Sequence, residues 1–238
     1  MNKSIIAVAG LVAIAMLLNA CGAYQLRADD KARINTADIQ LTIKQNELYG
    51  GTSVTMGDIN ISIGGLDNNT SAKREKAERN NKDIQPILKA LKGFNVNELA
   101  RKSYETGFRK VSWMKPATLT TVKKEIEQVE RFQITLNSKS DAVIFIDFDY
   151  HLDNSFRKFI LKTKTQMFSR LNRNTDGQPL IVFRNKHFFD WKHPELEGVY
   201  ERQDIIKKWT ENGADKLREK IRQAIEEDVK RLIEQLEK

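Results

Sequence analysis

The run 141–152 constrains the fold more than any other part of the sequence. Its even-numbered positions are apolar throughout, whereas its odd-numbered positions change from apolar, at Val143 and Phe145, to polar further along. Successive side chains of a strand point to opposite faces of a sheet. We therefore predict a strand that is covered on both faces where it starts and on one face where it ends.

The residues after this strand predict an antiparallel meander. Asp153 and Asn154 are typical of a two-residue turn, after which the run 157–171 alternates lysines with apolar or threonine side chains. A loop over 172–179 contains an Asp-Gly pair and leads into a third strand over 180–189. We expect three strands, each paired with its neighbour in the sequence.

Two shorter alternating runs lie nearer the N-terminus. The run 39–43 and the run 59–63 each alternate isoleucine or leucine with polar residues, and a glycine pair follows each of them. This pattern predicts two half-buried strands that pair as a hairpin. The segment 66–83 has almost no apolar residues, so it is predicted to be an exposed polar loop or a short exposed helix.

Apolar residues at helical spacing predict three helices between these runs and the long strand. One covers 84–91, and a second begins after Asn95 or Asn97, either of which can serve as its N-cap. A third is predicted after Pro116, with threonines as cap candidates. Its apolar face would consist of Val122, Ile126 and Val129.

After the meander the chain is predicted to be helical to its end. An apolar stripe runs along the last segment at steps of three and four residues, which gives this helix one face to bury. The stripe consists of Leu217, Ile221, Ala224, Ile225, Val229, Leu232 and Leu236. Gly213 either interrupts the helix or lets it continue at a cost of about 1 kcal/mol.

These elements predict an α+β fold. Its sheet is antiparallel or mixed, contains the three-stranded meander, and packs on one face against helices that include the long C-terminal one. We expect a single domain over 38–238. The segment 21–37 that precedes it is polar and shows no periodicity, so it is predicted to be a flexible tether.

The only cysteine of the chain, Cys21, follows a typical secretory leader. Lys3 supplies a positive charge, and the run 5–18 is apolar but shorter than the roughly 20 residues that span a bilayer. The four residues Leu-Asn-Ala-Cys that end at Cys21 resemble the lipobox of bacterial lipoproteins.

This resemblance implies that residues 1–20 are a signal peptide, removed by signal peptidase II, and that Cys21 carries lipid, including palmitate. Gly22 instead of aspartate at the next position implies sorting to the outer membrane, with the domain facing the periplasm. The inner membrane and the cell surface are the alternatives. The order of elements over 84–236 is similar to that of small envelope-lipoprotein domains, namely the curli-secretion lipoprotein and the TolB N-terminal domain.

The composition narrows the classes of partner. The net charge is +8, with 30% charged residues. In a cell envelope this excess favours anionic lipid head groups, lipopolysaccharide phosphates or peptidoglycan carboxylates over nucleic acid, or it serves solubility alone. With its sole cysteine expected to be lipidated, the chain is predicted to lack thiol catalysis and cysteine-based metal sites, and no cofactor is expected.

The polar part of the long strand carries the first candidate site. Asp147, Asp149 and His151 share one strand face. If a two-residue turn follows the strand, Asp149 faces Lys158. Asp147 then lies diagonally across from Lys158 and Lys162, and such cross-strand pairs need no further function. The alternative is a metal or acid–base site, to which His151 would add a nitrogen ligand.

A second candidate is the group His187, Asp190 and His193. Zinc needs three or four converging ligands, and this stretch is more typical of a strand end with packed aromatic residues, so no metal site is predicted. Trp191 and Trp209 flank a charged segment, where they either close an edge of the core or form the lip of a ligand site. No Ser-His-Asp grouping can be assigned.

Two functions are consistent with the sequence. The first is a membrane-anchored, non-catalytic envelope lipoprotein that serves as a binding or accessory module for an envelope protein complex, lipid or peptidoglycan. The alternative is a tethered hydrolase or metal-dependent enzyme that uses the Asp147, Asp149 and His151 face. The first is favoured because every charged cluster has a structural explanation.

Overall fold

The computed structural model describes residues 25–50 and 78–238. Its strands are β1 (Thr36–Thr42), β2 (Tyr49–Gly50), β3 (Lys115–Val122), β4 (Ala142–Leu152), β5 (Lys158–Arg173) and β6 (Pro179–Lys192). Its helices are α1 (Ala28–Arg33), α2 (Gln85–Ala90), α3 (Val96–Phe108), α4 (Gln128–Asn137), α5 (Arg202–Thr210) and α6 (Asp215–Glu237). Short 3-10 turns occupy Pro194–Leu196 and Glu211–Ala214.

The strands form one mixed sheet in the order β3-β1-β4-β5-β6, with β2 paired to the end of β4. β1 is parallel to both of its neighbours, whereas β4, β5 and β6 form the antiparallel meander. The predicted α+β class is confirmed, and the sheet is the mixed alternative. Because both edges of β1 are occupied, the prediction that it forms a hairpin with 59–63 is wrong. Residues 59–63 lie outside the described chain.

The two faces of β4 are covered as its sequence predicts. Its even-numbered side chains enter the main core, on the inner face of the sheet, beneath α3 and α6. On the outer face Val143 and Phe145 form a second cluster with Phe168 and the α4 residue Phe132. Further along the outer face Asp149 is only half-buried. The expectation that all helices lie on one face is therefore corrected, because α4 covers the start of the other.

β3 replaces the helix that was predicted after Pro116. The threonines of this segment pair with β1 in a parallel register, and Thr118 donates a hydrogen bond to Asp38 at 2.7 Å. β-branched residues fit a pleated surface well, and here tertiary pairing decides the outcome. The helix starts later, at Gln128, and leaves Val129 exposed instead of buried.

Most of the predicted tether is part of the fold. Leu26 and Ile34 are buried, and α1 lies between them. Asp30 accepts a hydrogen bond from Asn172 at 2.6 Å, which joins α1 to the end of β5. The prediction of a flexible tether over 21–37 is therefore wrong for residues 25–37. A few buried apolar residues and the side-chain contacts of Asn172 with Asp30 and Arg33 hold this segment, which has no helical periodicity, on the fold.

The segment predicted as an exposed polar loop over 66–83 is described only from residue 78. Residues 78–83 are helical, which agrees with the short helix that was the alternative to a loop. Asn80 is nevertheless buried and accepts a hydrogen bond from Arg202. The helix predicted over 84–91 is confirmed as α2, and Asn95 caps α3 by accepting a hydrogen bond from the backbone of Glu98.

The turn between β4 and β5 is wider than two residues. β4 ends at Leu152 and β5 begins at Lys158, so five residues form the connection. The Asp153 carboxylate accepts hydrogen bonds from the backbone of Arg157 at 2.6 Å and of Lys158 at 2.9 Å, while Phe156 turns into the core with a positive φ of 59°. The predicted register, in which Asp149 faces Lys158, is therefore wrong.

The C-terminal stripe is buried as predicted, so the last helix is part of the fold. The helical region is interrupted, since Asn212, Gly213 and Ala214 have positive φ angles of 51°, 67° and 64°. α6 packs closely on α3 at Gly107, where an added Cβ would collide with Val229. Among the described residues, no helix combines the length and the apolar character needed to cross a bilayer.

Candidate functional site

A cavity of about 920 Å³ opens beside the middle of the meander. It is lined by the loop that joins β1 to β2, by residues 81–88, and by parts of β4, β5 and β6. From the sheet it receives the outer-face side chains Asp147, Asp149, Lys162, Lys164, Lys186 and Phe188. Of the candidate face predicted from the sequence, Asp147, Asp149 and Lys162 line this cavity, whereas His151 and Lys158 do not.

Asp149 is bonded by a tyrosine and a histidine. The Tyr49 hydroxyl donates a hydrogen bond to Asp149 at 2.6 Å, and His151 Nδ1 lies 3.1 Å from the other carboxylate oxygen. β2 pairs Tyr49 with His151, which stacks their rings with centroids 5.2 Å apart. Two residues of strand thus suffice to bring the tyrosine to the end of β4.

The electrostatics of Asp149 follow from these contacts. Burial alone would raise the pKa of its carboxyl group. The hydrogen bonds from His151 and Tyr49, together with the charge of Lys162, outweigh burial and hold the pKa of Asp149 below its ordinary value of 3.8. Asp149 is therefore an ionised hydrogen-bond acceptor near neutral pH, and this arrangement disfavours a role as general acid.

Asp147 is bonded separately, by Arg131 of α4. Both carboxylate oxygens accept from the same guanidinium nitrogen, at 2.7 and 2.9 Å. The buried Arg131 also donates to Gln166 at 2.8 Å and lies over the ring of Phe145. Such a pair holds α4 on the sheet and leaves Asp147 with its charge balanced. Asp147 and Asp149 consequently have different partners and do not form a carboxylate pair.

The lysines of this face follow the corrected register. Asp149 lies opposite Lys162 and not Lys158, while Asp147 lies opposite Lys164, which in turn lies opposite Lys186. Within the described chain, Lys164 and Lys186 form no ion pair. The predicted partner Lys158 instead pairs with Asp190 at 3.0 Å, outside the cavity lining.

An exposed aromatic residue accompanies these lysines. Phe188 is 54% exposed, and Lys162 Nζ lies 5.8 Å from the centre of its ring. Phe188 is the aromatic residue on a face of β6 whose other residues from 184 to 192 are charged. We refer to Lys162, Lys164, Lys186 and Phe188 as the basic face.

The group His187, Asp190 and His193 does not converge. His187 points inward to Asp228, Asp190 pairs with Lys158 on the outer face, and His193 packs against two tryptophans. No cluster of three or more potential ligands was found in the part of the chain that the structure describes. The aromatic interpretation of this stretch is confirmed, since Trp209 is buried and Trp191 packs against it at a centroid distance of 5.7 Å.

His193 itself is enclosed by this aromatic group. Its ring centroid lies 5.0 Å from that of Trp209 and 5.5 Å from that of Trp191. Burial first, and then the charge of Lys216, lower the pKa of His193 below its ordinary value of 6.5. The neutral imidazole accepts a hydrogen bond from the backbone of Glu195 at 3.2 Å and closes an edge of the core.

A buried polar cluster on the inner face was missed by the sequence analysis. Asp228 of α6 accepts hydrogen bonds from Thr163 at 2.6 Å and from Tyr104, and its Oδ1 lies 2.6 Å from His187 Nδ1. Burial, followed by the charge and hydrogen bond of Asp228, raises the pKa of Tyr104 well above 10.0. The sequence contained a signal for this cluster. Asp228 occupies a position of the apolar stripe, four residues before Leu232, where a charged side chain is predicted to be buried.

Two residues that support the outer face gave no comparable signal. Tyr49 lies in a strand of two residues, and Arg131 lies on a helix that was predicted with other bounds. Tyr49 reaches the site through the pairing of β2 with β4, and Arg131 through its salt bridge with Asp147, and neither contact is visible in the local sequence. The predicted lipidation site, Cys21, lies outside the described residues.

Comparison with known proteins adds little to this geometry. No protein-family model matches the chain, and no curated protein is similar to it in sequence. A solved structure, that of the hypothetical protein CT253 from Chlamydia trachomatis, is similar over 85% of this chain and 98% of its own, with 5% identity and a TM-score of 0.35. A similarity at that TM-score carries no argument about fold or function.

Proposed function

We propose that this protein is a lipid-anchored envelope module that binds an anionic envelope partner through its basic face, without catalysis. The observation that carries the proposal is an asymmetry of charge. Asp147 and Asp149 are already bonded within the chain, whereas Lys164 and Lys186 pair with no described acid. Glu47 is the one acid of the cavity lining that also forms no ion pair within the described chain, so cations outnumber acids among the groups that remain available to a partner.

The anchor in this proposal rests on the sequence around Cys21. Lipidation of this residue, palmitate included, would hold the domain at a membrane. Gly22 favours the outer membrane, with the domain in the periplasm. Two or three acyl chains make such attachment durable, since each buried methylene contributes about 0.8 kcal/mol.

A specific observation favours the enzyme alternative as well. The hydrogen bond between Asp149 and His151 orients an imidazole behind a carboxylate of the cavity lining, as carboxylate–histidine pairs do in hydrolases, although the buried His151 does not itself line the cavity. Tyr49 shares the same carboxylate, however, and stacks on the imidazole. We therefore assign Asp149, His151 and Tyr49 a structural role in supporting the cavity wall. The enzyme alternative predicts instead that Asp149→Asn abolishes activity toward a partner.

The anchor is tested first. Cells that express the wild type or Cys21→Ser are labelled with a clickable palmitate and fractionated. We expect label and membrane attachment in the wild type and loss of both in Cys21→Ser. Equal labelling of the two proteins would contradict the proposal.

Binding is tested by photo-crosslinking in growing cells. A photoreactive phenylalanine replaces Phe188, which preserves an aromatic ring at the basic face. We expect a defined adduct that disappears with Lys164→Glu/Lys186→Glu and persists with Lys92→Glu/Lys207→Glu, a control with the same charge change at exposed sites elsewhere. An adduct that survives both pairs, or no adduct, would contradict binding through this face.

A further inference from the structure

One end of the molecule brings together the N-terminus of the described chain and several loops. The parallel strands β1, β3 and β4 all begin there, and the hairpin between β5 and β6 closes at the same end. α1 is held there by Asn172, which contacts both Asp30 and Arg33. We call this the anchor end, and it comprises residues 25–36, 109–115, 138–141 and 170–180.

The chain between Cys21 and the fold is short. Leu26 is already buried in the core, so the folded region begins only a few residues after the proposed lipidation site. Leu26 lies five residues after Cys21, and five residues of fully extended chain reach at most about 18 Å. A lipid on Cys21 would therefore keep the anchor end within that distance of the membrane, much closer than a flexible tether of 15 residues would.

Most acids near this end are occupied by the fold. Asp141 accepts hydrogen bonds from the backbone of Asn35 and Thr36 at 2.9 and 3.1 Å. Glu237 accepts two from Ser112, at 2.6 and 2.7 Å. These carboxylates join segments of the chain to one another, and the exposed acids that remain are Asp29 and Asp176.

The cations of the anchor end are exposed instead. Within the described chain, several form no ion pair: Arg33, Lys110, Lys115, Lys139 and Arg173. Two of the few large apolar residues that face solvent, Leu171 and Leu180, lie in the hairpin at this end. Exposed lysines and arginines beside apolar side chains match the chemistry of an anionic membrane surface.

We infer that the anchor end docks on the anionic head groups of the membrane that holds the lipid, so that the domain is oriented and not free to rotate on its tether. The inference rests on the proposed lipidation of Cys21. Electrostatic attraction to head groups acts within about 8–10 Å at physiological salt, a separation that lies within the reach of the short connection. In this orientation the opposite end of the sheet points away from the membrane.

Site-directed fluorescence tests the orientation on the full lipidated protein. In Leu171→Cys the new cysteine is the only free thiol, because the sulfur of Cys21 is blocked by its lipid. It is labelled with bimane, and the protein is reconstituted in vesicles of phosphatidylcholine and phosphatidylglycerol that contain a nitroxide head-group quencher. Labels at Phe188→Cys and at Tyr200→Cys, near the β4–β5 turn, report on the basic face and on the opposite end.

We expect strong quenching at position 171 and little at 188 or 200. Quenching at 171 should fall toward the level of the other two positions in Lys139→Glu/Arg173→Glu and in vesicles of phosphatidylcholine alone. It should persist in Lys92→Glu/Lys207→Glu. Raising the salt to 1 M, where the screening length is about 3 Å, should weaken it as well.

Other results would overturn the inference. Equal quenching at all three positions would show a domain that tumbles on its lipid, and stronger quenching at 188 would place the basic face on the membrane. Failure of the proposed function is recognised separately, because a protein without lipid shows no palmitate label and does not enter the vesicles.

Discussion

Two carboxylates on opposite faces of the sheet, Asp149 and Asp228, use the same kinds of partner in different surroundings. Each accepts a hydrogen bond from a tyrosine and lies within bonding distance of a histidine nitrogen. The Asp149 side chain is 40% exposed, whereas that of Asp228 is 3% exposed. The comparison predicts that burial, and not the identity of the partners, decides how much such a cluster contributes to stability.

The buried cluster connects two helices with the sheet. Tyr104 belongs to α3, Asp228 to α6, and Thr163 and His187 to the meander. Water cannot replace a lost partner there, so any change leaves polar atoms unsatisfied. At Asp149 water can take the place of a missing partner, and the free-energy cost is correspondingly smaller.

The largest effect is expected from Asp228→Ala. It leaves two hydroxyl groups and an imidazole buried without their shared acceptor. At about 1–3 kcal/mol for each unsatisfied group, the free energy of unfolding should fall by about 3–5 kcal/mol. Urea unfolding followed by circular dichroism measures the change. A loss below about 1 kcal/mol, equal to that of Asp149→Ala, would remove the distinction between the two clusters.

The two tyrosines give the next largest difference. Tyr104→Phe should cost about 1–3 kcal/mol because it deprives a buried carboxylate of a donor, whereas Tyr49→Phe should cost less than about 1 kcal/mol. Each change removes one phenolic hydroxyl group, so each variant is the control for the other in the same unfolding assay. The reverse order of losses would show that the outer cluster carries more of the stability.

An alkaline limit to stability should follow from the buried cluster. The pKa of Tyr104 is raised in the folded state, so its contribution to stability is full below pH 10 and is lost as the pH rises from there toward the folded pKa. Thermal melts between pH 8 and pH 11 should show a decline that is smaller in Tyr104→Phe. An identical decline in both proteins would refute the assignment.

The smallest effect is expected from Asp149→Asn, which should cost about 1 kcal/mol or less near neutral pH. The pKa of Asp149 is lowered in the folded state, so the contribution of its carboxylate is present above the unfolded pKa of about 3.9 and is lost as the pH falls through the folded value. The difference between wild type and variant should thus close in acid. A difference that widens in acid would show that the pKa is shifted the other way.

Local sequence patterns predicted the structure correctly where the spacing of apolar residues matched the burial of their side chains. The change of β4 from two covered faces to one, and the stripe of α6, are periodic signals that specify which side chains are buried. β3 and α1 were missed because parallel pairing with β1 and the contact with Asn172 are made by residues distant in the chain. Such contacts override weak local preferences.

The candidate site was predicted only in part, because local patterns specify which side chains share a face but not which residues lie opposite them. The shared face of Asp147, Asp149 and His151 follows from strand alternation alone. Their partners depend on the register, which the Asp153 hydrogen bonds and the burial of Phe156 fix. A local turn signal could not reveal that five residues, and not two, join the strands.

The central claim is that the outer-face acids support the cavity while its lysines bind the partner. Photo-crosslinking from position 188 tests this most directly when Asp149→Asn and Lys164→Glu/Lys186→Glu are compared in the same cells, at matched protein levels. The account predicts that the adduct persists in Asp149→Asn and disappears in the lysine variant. An adduct lost in Asp149→Asn but retained in the lysine variant would contradict it.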